Sequence, residues 1–185
     1  DRRYRTVQEF RSDIERFLHD EPVSARPDTL TYRAAKFVRR HRVPVIAAAY
    51  WAWSCPCDQT PGVYLRGMHA SEKVTNWAFA NQVPLCQVEV DAGLLPHALN
   101  LNCWSDTNGD LYLSCGNCEG KRWSTAAVAN PQARVRVGQT VYPVTLTRVL
   151  GDDALATVWQ SRGVKLPNAS DPRPAGWGVF RAASR

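Results

Sequence analysis

Leu99-Asn100-Leu101-Asn102-Cys103-Trp104-Ser105-Asp106-Thr107-Asn108-Gly109-Asp110-Leu111-Tyr112-Leu113-Ser114-Cys115 decides the fold. Leu99, Leu101 and Cys103 alternate with more polar neighbours, as do Leu111, Leu113 and Cys115, which is the two-residue period of a strand with one buried face. Between them, Asn108-Gly109 supplies the positive backbone φ angles that a tight turn needs, so the stretch predicts a β-hairpin. The same alternation recurs on either side. Cys86, Val88 and Val90 predict an earlier strand, Ala133, Val135 and Val137 a later one, and Gly138-Gln139 a turn into a longer strand over 140–150. Residues 177–182 predict a last strand. Two helices interrupt the pattern. One covers about 123–129; the other runs from Asp152 as N-cap to Gly163 as stop and buries Leu155, Val158 and Trp159. About six strands and two short helices predict an α+β, mainly β domain over 61–185, a barrel with helices over its openings or edges, with an open sandwich as the alternative.

The first 60 residues read differently. Thr6-Val7-Gln8-Glu9 has the spacing of a capping box, and Val7, Phe10, Ile14, Phe17 and Leu18 come after it at helical steps as an apolar stripe that needs a partner surface. A second helix is expected over 29–42, ending in the basic cluster Lys36, Arg39, Arg40 and Arg42. Residues 43–53 are apolar apart from Pro44 and succeed that cluster in the order of a membrane segment with a cytoplasmic basic end, although they are too few to span a bilayer core of about 30 Å. A short or truncated anchor and a packed helix are both open. The organisation expected is therefore a basic helical segment over 1–42, an apolar anchor and linker over 43–60, and the barrel over 61–185. The chain begins at Asp1 without an initiator Met, as a missing upstream piece or an artificial boundary would leave it.

Charge argues against a nucleic-acid module. The whole chain carries +6, but residues 1–42 hold 11 Lys/Arg against 7 Asp/Glu and the remainder only 12 against 10, so the barrel is nearly neutral.

Gly120-Lys121-Arg122-Trp123-Ser124-Thr125 puts two cations and two hydroxyls at the start of a helix, where backbone amides and the helix dipole also favour an anion. A phosphate fits this cradle. A solvated loop with Ser124 as a simple cap is the plainer alternative. The six cysteines, Cys55, Cys57, Cys86, Cys103, Cys115 and Cys118, are read in three ways: as disulfides in an oxidising compartment, as a zinc site built on Cys115 and Cys118 with Cys103 or Cys57, or as buried thiols. His69 and His97 are isolated and read as surface or structural residues, Trp104, Trp123, Trp159 and Trp177 as core, and no catalytic residue can be assigned.

Two resemblances attach to these motifs. Lys121-Arg122-Trp123, Ala129-Asn130-Pro131, the alternating Val135 and Val137, Gly138 and Val141-Tyr142-Pro143-Val144 resemble the split β-barrel flavin-binding superfamily over residues 98–150, in particular the deazaflavin-dependent nitroreductase and pyridoxamine-phosphate-oxidase-like branches. That resemblance implies a split barrel holding FMN or a deazaflavin, with Lys121, Arg122, Trp123, Ser124 and Thr125 near the cofactor, a small-molecule redox substrate, and a homodimer. Residues 1–42, through Thr6-Val7, Asp13-Ile14-Glu15-Arg16, Pro22-Val23 and Lys36-Phe37-Val38-Arg39-Arg40, resemble the last helix and juxtamembrane tail of bacterial membrane serine/threonine kinases. No glycine-rich phosphate loop, His-Arg-Asp loop or Asp-Phe-Gly site accompanies them, so kinase activity is not expected. The combined expectation is a bacterial, membrane-associated oxidoreductase with its C-terminal domain outside the cytoplasm. The alternatives are a non-catalytic, disulfide-stabilised binding domain and a kinase regulatory tail.

Overall fold

The computed structural model describes residues 4–25, 27, 29–166 and 172–185. The chain divides into two compact units, residues 1–51 and 52–185.

The first unit is helical. Helix α1 spans Val7–Leu18; the Thr6 hydroxyl accepts from the Glu9 amide (3.2 Å) and the Glu9 carboxylate accepts from the Arg5 amide (2.7 Å), so two otherwise orphaned donors are satisfied at the helix start. Buried Asp13 accepts from the Ser24 and Ala25 amides (2.8 and 2.9 Å), which fixes the turn after α1 and holds its carboxyl below the usual carboxylate range. Helix α2 spans Leu30–Arg40 and α3 Arg42–Ser54. The α1 stripe of Val7, Phe10, Ile14, Phe17 and Leu18 stays exposed rather than packed against the partner surface its spacing suggested. Among the described residues no helix is long and apolar enough to cross a membrane, and α3, at 13 residues, is about 20 Å long. The apolar stretch at 43–53 is thus a helix that falls short of a span, as its length implied.

The second unit is the mainly β, α+β split barrel. Strands β1 (Met68–His69), β2 (Cys86–Val90), β3 (His97–Ser105), β4 (Leu111–Cys115), β5 (Gln132–Val137), β6 (Thr140–Arg148) and β7 (Gly178–Ser184) run in the order β1-β6-β5-β2-β3-β4-β7, and a further β6–β7 pairing closes β2 to β7 into an antiparallel barrel. One side of β6 is shared: β1 lies parallel to Thr140 and Val141, and β7 antiparallel to Val144–Arg148. The expected hairpin forms at residues 105–111. Gly109 takes the positive φ, and the Asp106 carboxylate accepts from the Asn108 and Asp110 amides.

Inside the barrel sit Cys86, Val88, Val90, Leu101, Cys103, Leu111, Leu113, Val135, Val144 and Phe180, as the alternation dictated. Helix α4 (Arg122–Ala129) adds Trp123 and Ala127 beyond the Cys115 end of β4, while the 3₁₀ turn Ala78–Gln82, next to the β3–β4 hairpin, adds Ala80 beside Trp77. A second apolar cluster lies on the outer face, where Val158 and Trp159 of α5 (Asp152–Ser161) meet Trp104, Tyr112, Trp177 and Val179. Thus α5 covers a barrel wall rather than an opening. Its end is pinned: Trp104 Nε1 donates to Ser161 Oγ (2.9 Å), and Lys165 Nζ donates to the Ala80 and Cys103 carbonyls, a burial that lowers the lysine's pKa.

Residues 55–66 form a strap over the outer face of β2, β3 and β5. Gly62 pairs with Ala98 through two backbone hydrogen bonds (2.7 and 3.0 Å), and a side chain there would run into the Cys55–Pro56 backbone. Beneath the strap, the cross-strand partners Glu89 and Arg134 form an ion pair, and the Glu89 carboxylate also accepts from the Leu65 amide (2.6 Å). Asn100 donates to the Asp58 carbonyl and Gln87 to that of Pro56.

All six cysteines are joined in disulfides, Cys55–Cys57, Cys86–Cys103 and Cys115–Cys118. With Cys103, Cys115 and Cys118 paired in this way, their sulfurs carry no thiolate to offer a metal. Among the described residues no group of three or more His, Cys, Asp or Glu could hold a metal ion.

Candidate functional site

The loop from β4 to α4 is tied at several points. Cys115–Cys118 closes its first turn, Asn117 and Gly120 supply positive φ, and the Cys118 amide donates to the Gly176 carbonyl (3.2 Å). Ser124 then reaches back from α4, and its hydroxyl lies against the Cys118 carbonyl and the Lys121 carbonyl (3.0 Å). Lys121 occupies the N-cap position in extended conformation, with no side chain capping the helix, so the first α4 amides carry no side-chain acceptor.

This loop, the strap and the start of β3 enclose a cavity of about 310 Å³. Lys121 and Arg122 line it and are exposed, while Trp123 lines it as a residue that is itself 2% exposed, its ring 5.1 Å from that of Phe180. The strap contributes Asp58, Gln59, Thr60 and Pro61, and β3 contributes His97, Leu99 and Asn100. Trp123 Nε1 is buried and has no hydrogen-bond acceptor among the described residues. A buried N–H left unpaired costs about 1–3 kcal/mol, which makes it a site where an acceptor would be gained. The Arg122 guanidinium makes one long contact, donating to the Ala92 carbonyl at 3.4 Å. His97 titrates below the ordinary histidine range, chiefly through burial and secondly through the Arg122 charge, so its ring is neutral at neutral pH.

Of the five residues that the resemblance places near the cofactor, the structure brings Lys121, Arg122 and Trp123 to the cavity. Ser124 is buried and donates to main-chain carbonyls, so its hydroxyl shapes the loop; Thr125 is exposed and does not line the cavity. His97 and Asn100 were not anticipated, since the register of β3 and the strap together set them beside the cations and neither is announced by their neighbours in the chain. Asp58 also belongs to the lining, and its carbonyl accepts from the Asn100 amide group.

No family model and no curated protein matches the chain in sequence. Solved structures do match it, at low identity. A Listeria innocua protein provisionally designated a pyridoxamine 5′-phosphate oxidase is 14% identical, with 58% of this chain and 89% of that one covered and a TM-score of 0.47. An FAD-binding protein from Mesorhizobium loti is 16% identical, with coverage of 58% and 85% and a TM-score of 0.44. An FAD-binding protein from Mycobacterium smegmatis is 13% identical, with coverage of 58% and 86% and a TM-score of 0.39. The kinase-tail likeness of residues 1–42 and the deazaflavin branch gain no support from these matches.

Proposed function

We propose that the barrel binds a phosphate-bearing flavin, FMN or a deazaflavin, with Lys121 and Arg122 on the phosphate, and that it serves as an oxidoreductase for a small-molecule substrate. The observation that carries this reading is the meeting of two exposed cations with Trp123, His97 and Asn100 in the lining of one cavity, at the start of a helix without a side-chain cap. At about 310 Å³ the cavity lies at the small end of ligand sites, suiting a phosphate and polyol chain with the ring system extending beyond it over the barrel surface. The flavin would supply the hydride or electron transfer when bound. This chain's residues would bind and orient it: the cations fix the phosphate, Trp123 closes the floor and donates Nε1–H, and neutral His97 and Asn100 offer hydrogen bonds to the polyol hydroxyls. A homodimer, expected from the superfamily resemblance, would shelter the exposed ring.

The test is titration of the purified chain with FMN, FAD and a deazaflavin, monitored by absorbance and fluorescence. One of them binds with a spectral change, and Lys121→Ala with Arg122→Ala weakens it about 10- to 100-fold, as two solvent-facing charged hydrogen bonds would. Absence of any spectral change, or unaltered affinity in the double variant, refutes the reading. Light scattering tests the dimer.

A second reading is favoured by the three disulfides: a non-catalytic extracytoplasmic domain that binds a partner. It requires that no flavin binds and that free thiols appear only after reduction. The disulfides support an extracytoplasmic setting for the flavin reading too, and redox-sensitive reporter fusions would test that setting directly.

A further inference from the structure

Residues 29–57 hold five cations, Arg33, Lys36, Arg39, Arg40 and Arg42, and no Asp or Glu. Two of these charges are partly spent, Lys36 on Asp20 (3.3 Å) and Arg40 on Glu21 (3.4 Å), whereas Arg39 and Arg42 are exposed at the junction of α2 and α3. Beyond Arg42, helix α3 has no polar face. From Val43 to Trp51 it is Val-Pro-Val-Ile-Ala-Ala-Ala-Tyr-Trp, with Pro44 in the first turn, where its missing N–H is not needed. A helix that is apolar all round belongs inside a protein core or in lipid. Here Val43 and Ile46 are 73% and 65% exposed, so among the described residues of the first unit no core covers these side chains.

We propose that Arg39–Trp51 seats on the surface of an anionic lipid bilayer, α3 entering the boundary between headgroups and acyl chains while the Arg39 and Arg42 guanidiniums meet lipid phosphates. Charge complementarity selects this occupant. Guanidinium pairs with phosphate through paired N–H donors, Tyr50 and Trp51 are the side-chain types that settle at a membrane interface, and no carboxylate within residues 29–57 opposes the headgroups. Length excludes a crossing: about 20 Å of helix falls short of a hydrocarbon core of about 30 Å. The inference is independent of the flavin reading, which is tracked by colour rather than by lipid.

The test uses the full chain in flotation against vesicles of phosphatidylcholine alone or mixed with phosphatidylglycerol, since aggregates of an apolar helix do not float. The chain rises with the phosphatidylglycerol vesicles, leaves them in alkaline carbonate, and releases with salt as screening shortens the reach of the arginines. Arg39→Gln with Arg42→Gln lowers partitioning onto anionic vesicles about 25-fold, the product of two surface cations at about fivefold each. Ile46→Asp abolishes binding to both vesicle types, with the near-ultraviolet circular dichroism of the barrel unchanged as the folding control. Equal partitioning onto neutral vesicles, a carbonate-resistant fraction, or an arginine variant that still floats overturns the proposal. So does lipid-free binding of duplex RNA with comparable affinity, which would assign the basic cluster to nucleic acid.

Discussion

Replacing Glu89 by Ala should reveal how firmly the strap is held to the barrel. The Glu89 carboxylate accepts from Arg134 Nε (2.9 Å), from Arg134 Nη2 on both oxygens (2.6 Å each) and from the Leu65 amide (2.6 Å), and the residue is 8% exposed. Removing it leaves the buried Leu65 N–H without an acceptor, which costs about 1–2 kcal/mol. It also strands the Arg134 guanidinium. A fully buried partner would cost about 3–5 kcal/mol, but the Arg134 side chain is 32% exposed and turns partly to water, so about 1–2 kcal/mol is the discounted figure. The expected loss is about 3 kcal/mol, or a fall in melting temperature of about 10 °C for a unit of this size. Glu89→Gln keeps an acceptor for Leu65 and should lose about half as much. Urea unfolding of both single variants, Arg134→Ala and the double variant Glu89→Ala/Arg134→Ala completes a cycle whose coupling should be about 1.5–2 kcal/mol. A coupling below about 0.5 kcal/mol would refute the claim that the pair acts as a unit under the strap.

Ser161→Ala removes the acceptor of the Trp104 indole and should destabilise the barrel by about 1–2 kcal/mol in urea unfolding, with α5 amides exchanging faster. Gly178→Ala pushes a methyl group into Cys118 across the β4–β7 register and should cost about 1–3 kcal/mol by the same assay; a neutral result would mean that the β4–α4 loop yields freely. For His97, burial and Arg122 penalise the protonated ring in the folded state, so unfolding free energy should fall as pH drops from about 6.5 and level off below the folded pKa. In NMR titration Arg122→Gln should raise the His97 pKa and added FMN should raise it further, whereas a ring titrating above the ordinary value in the free protein would contradict the geometry. Cys115→Ser with Cys118→Ser should loosen the loop that carries Lys121 and Arg122, weakening FMN at least threefold while the melting temperature falls by only a few degrees.

The interior of the barrel was legible because each strand reports it by a two-residue period: Cys86, Val88, Val90, Leu111 and Leu113 all point inward. The outside of the wall was less so. On β4, Tyr112 and Ser114 fall at positions that read as solvent-facing, yet both are buried, Tyr112 among the residues packed with α5. A strand carries no signal for a helix that will cover it from 40 residues further on. The strap was missed for a related reason: its polar residues are held through main-chain groups and single side chains, such as Leu65 N–H on Glu89, and so show no pattern. In the candidate site, cations next to a helix start were visible as Lys121 and Arg122, but the direction of the Ser124 hydroxyl depends on the loop bending back to present the Cys118 carbonyl. His97 sits beside the cavity by virtue of its register on β3, a long-range fact that nothing next to it in the chain announces.

Strand β7 bonds to β4 on one side and to β6 on the other, so a single segment seals the wall. Its partners at 111–115 and 140–148 lie far back along the chain, and contacts of that kind form slowly. Until β7 docks, the other strands are an open sheet whose β4 rim and whose Val144–Arg148 stretch of β6 leave amides and carbonyls able to recruit a strand from another molecule. In refolding or expression, conditions that let the 178–184 segment dock early should therefore favour the closed barrel over aggregates.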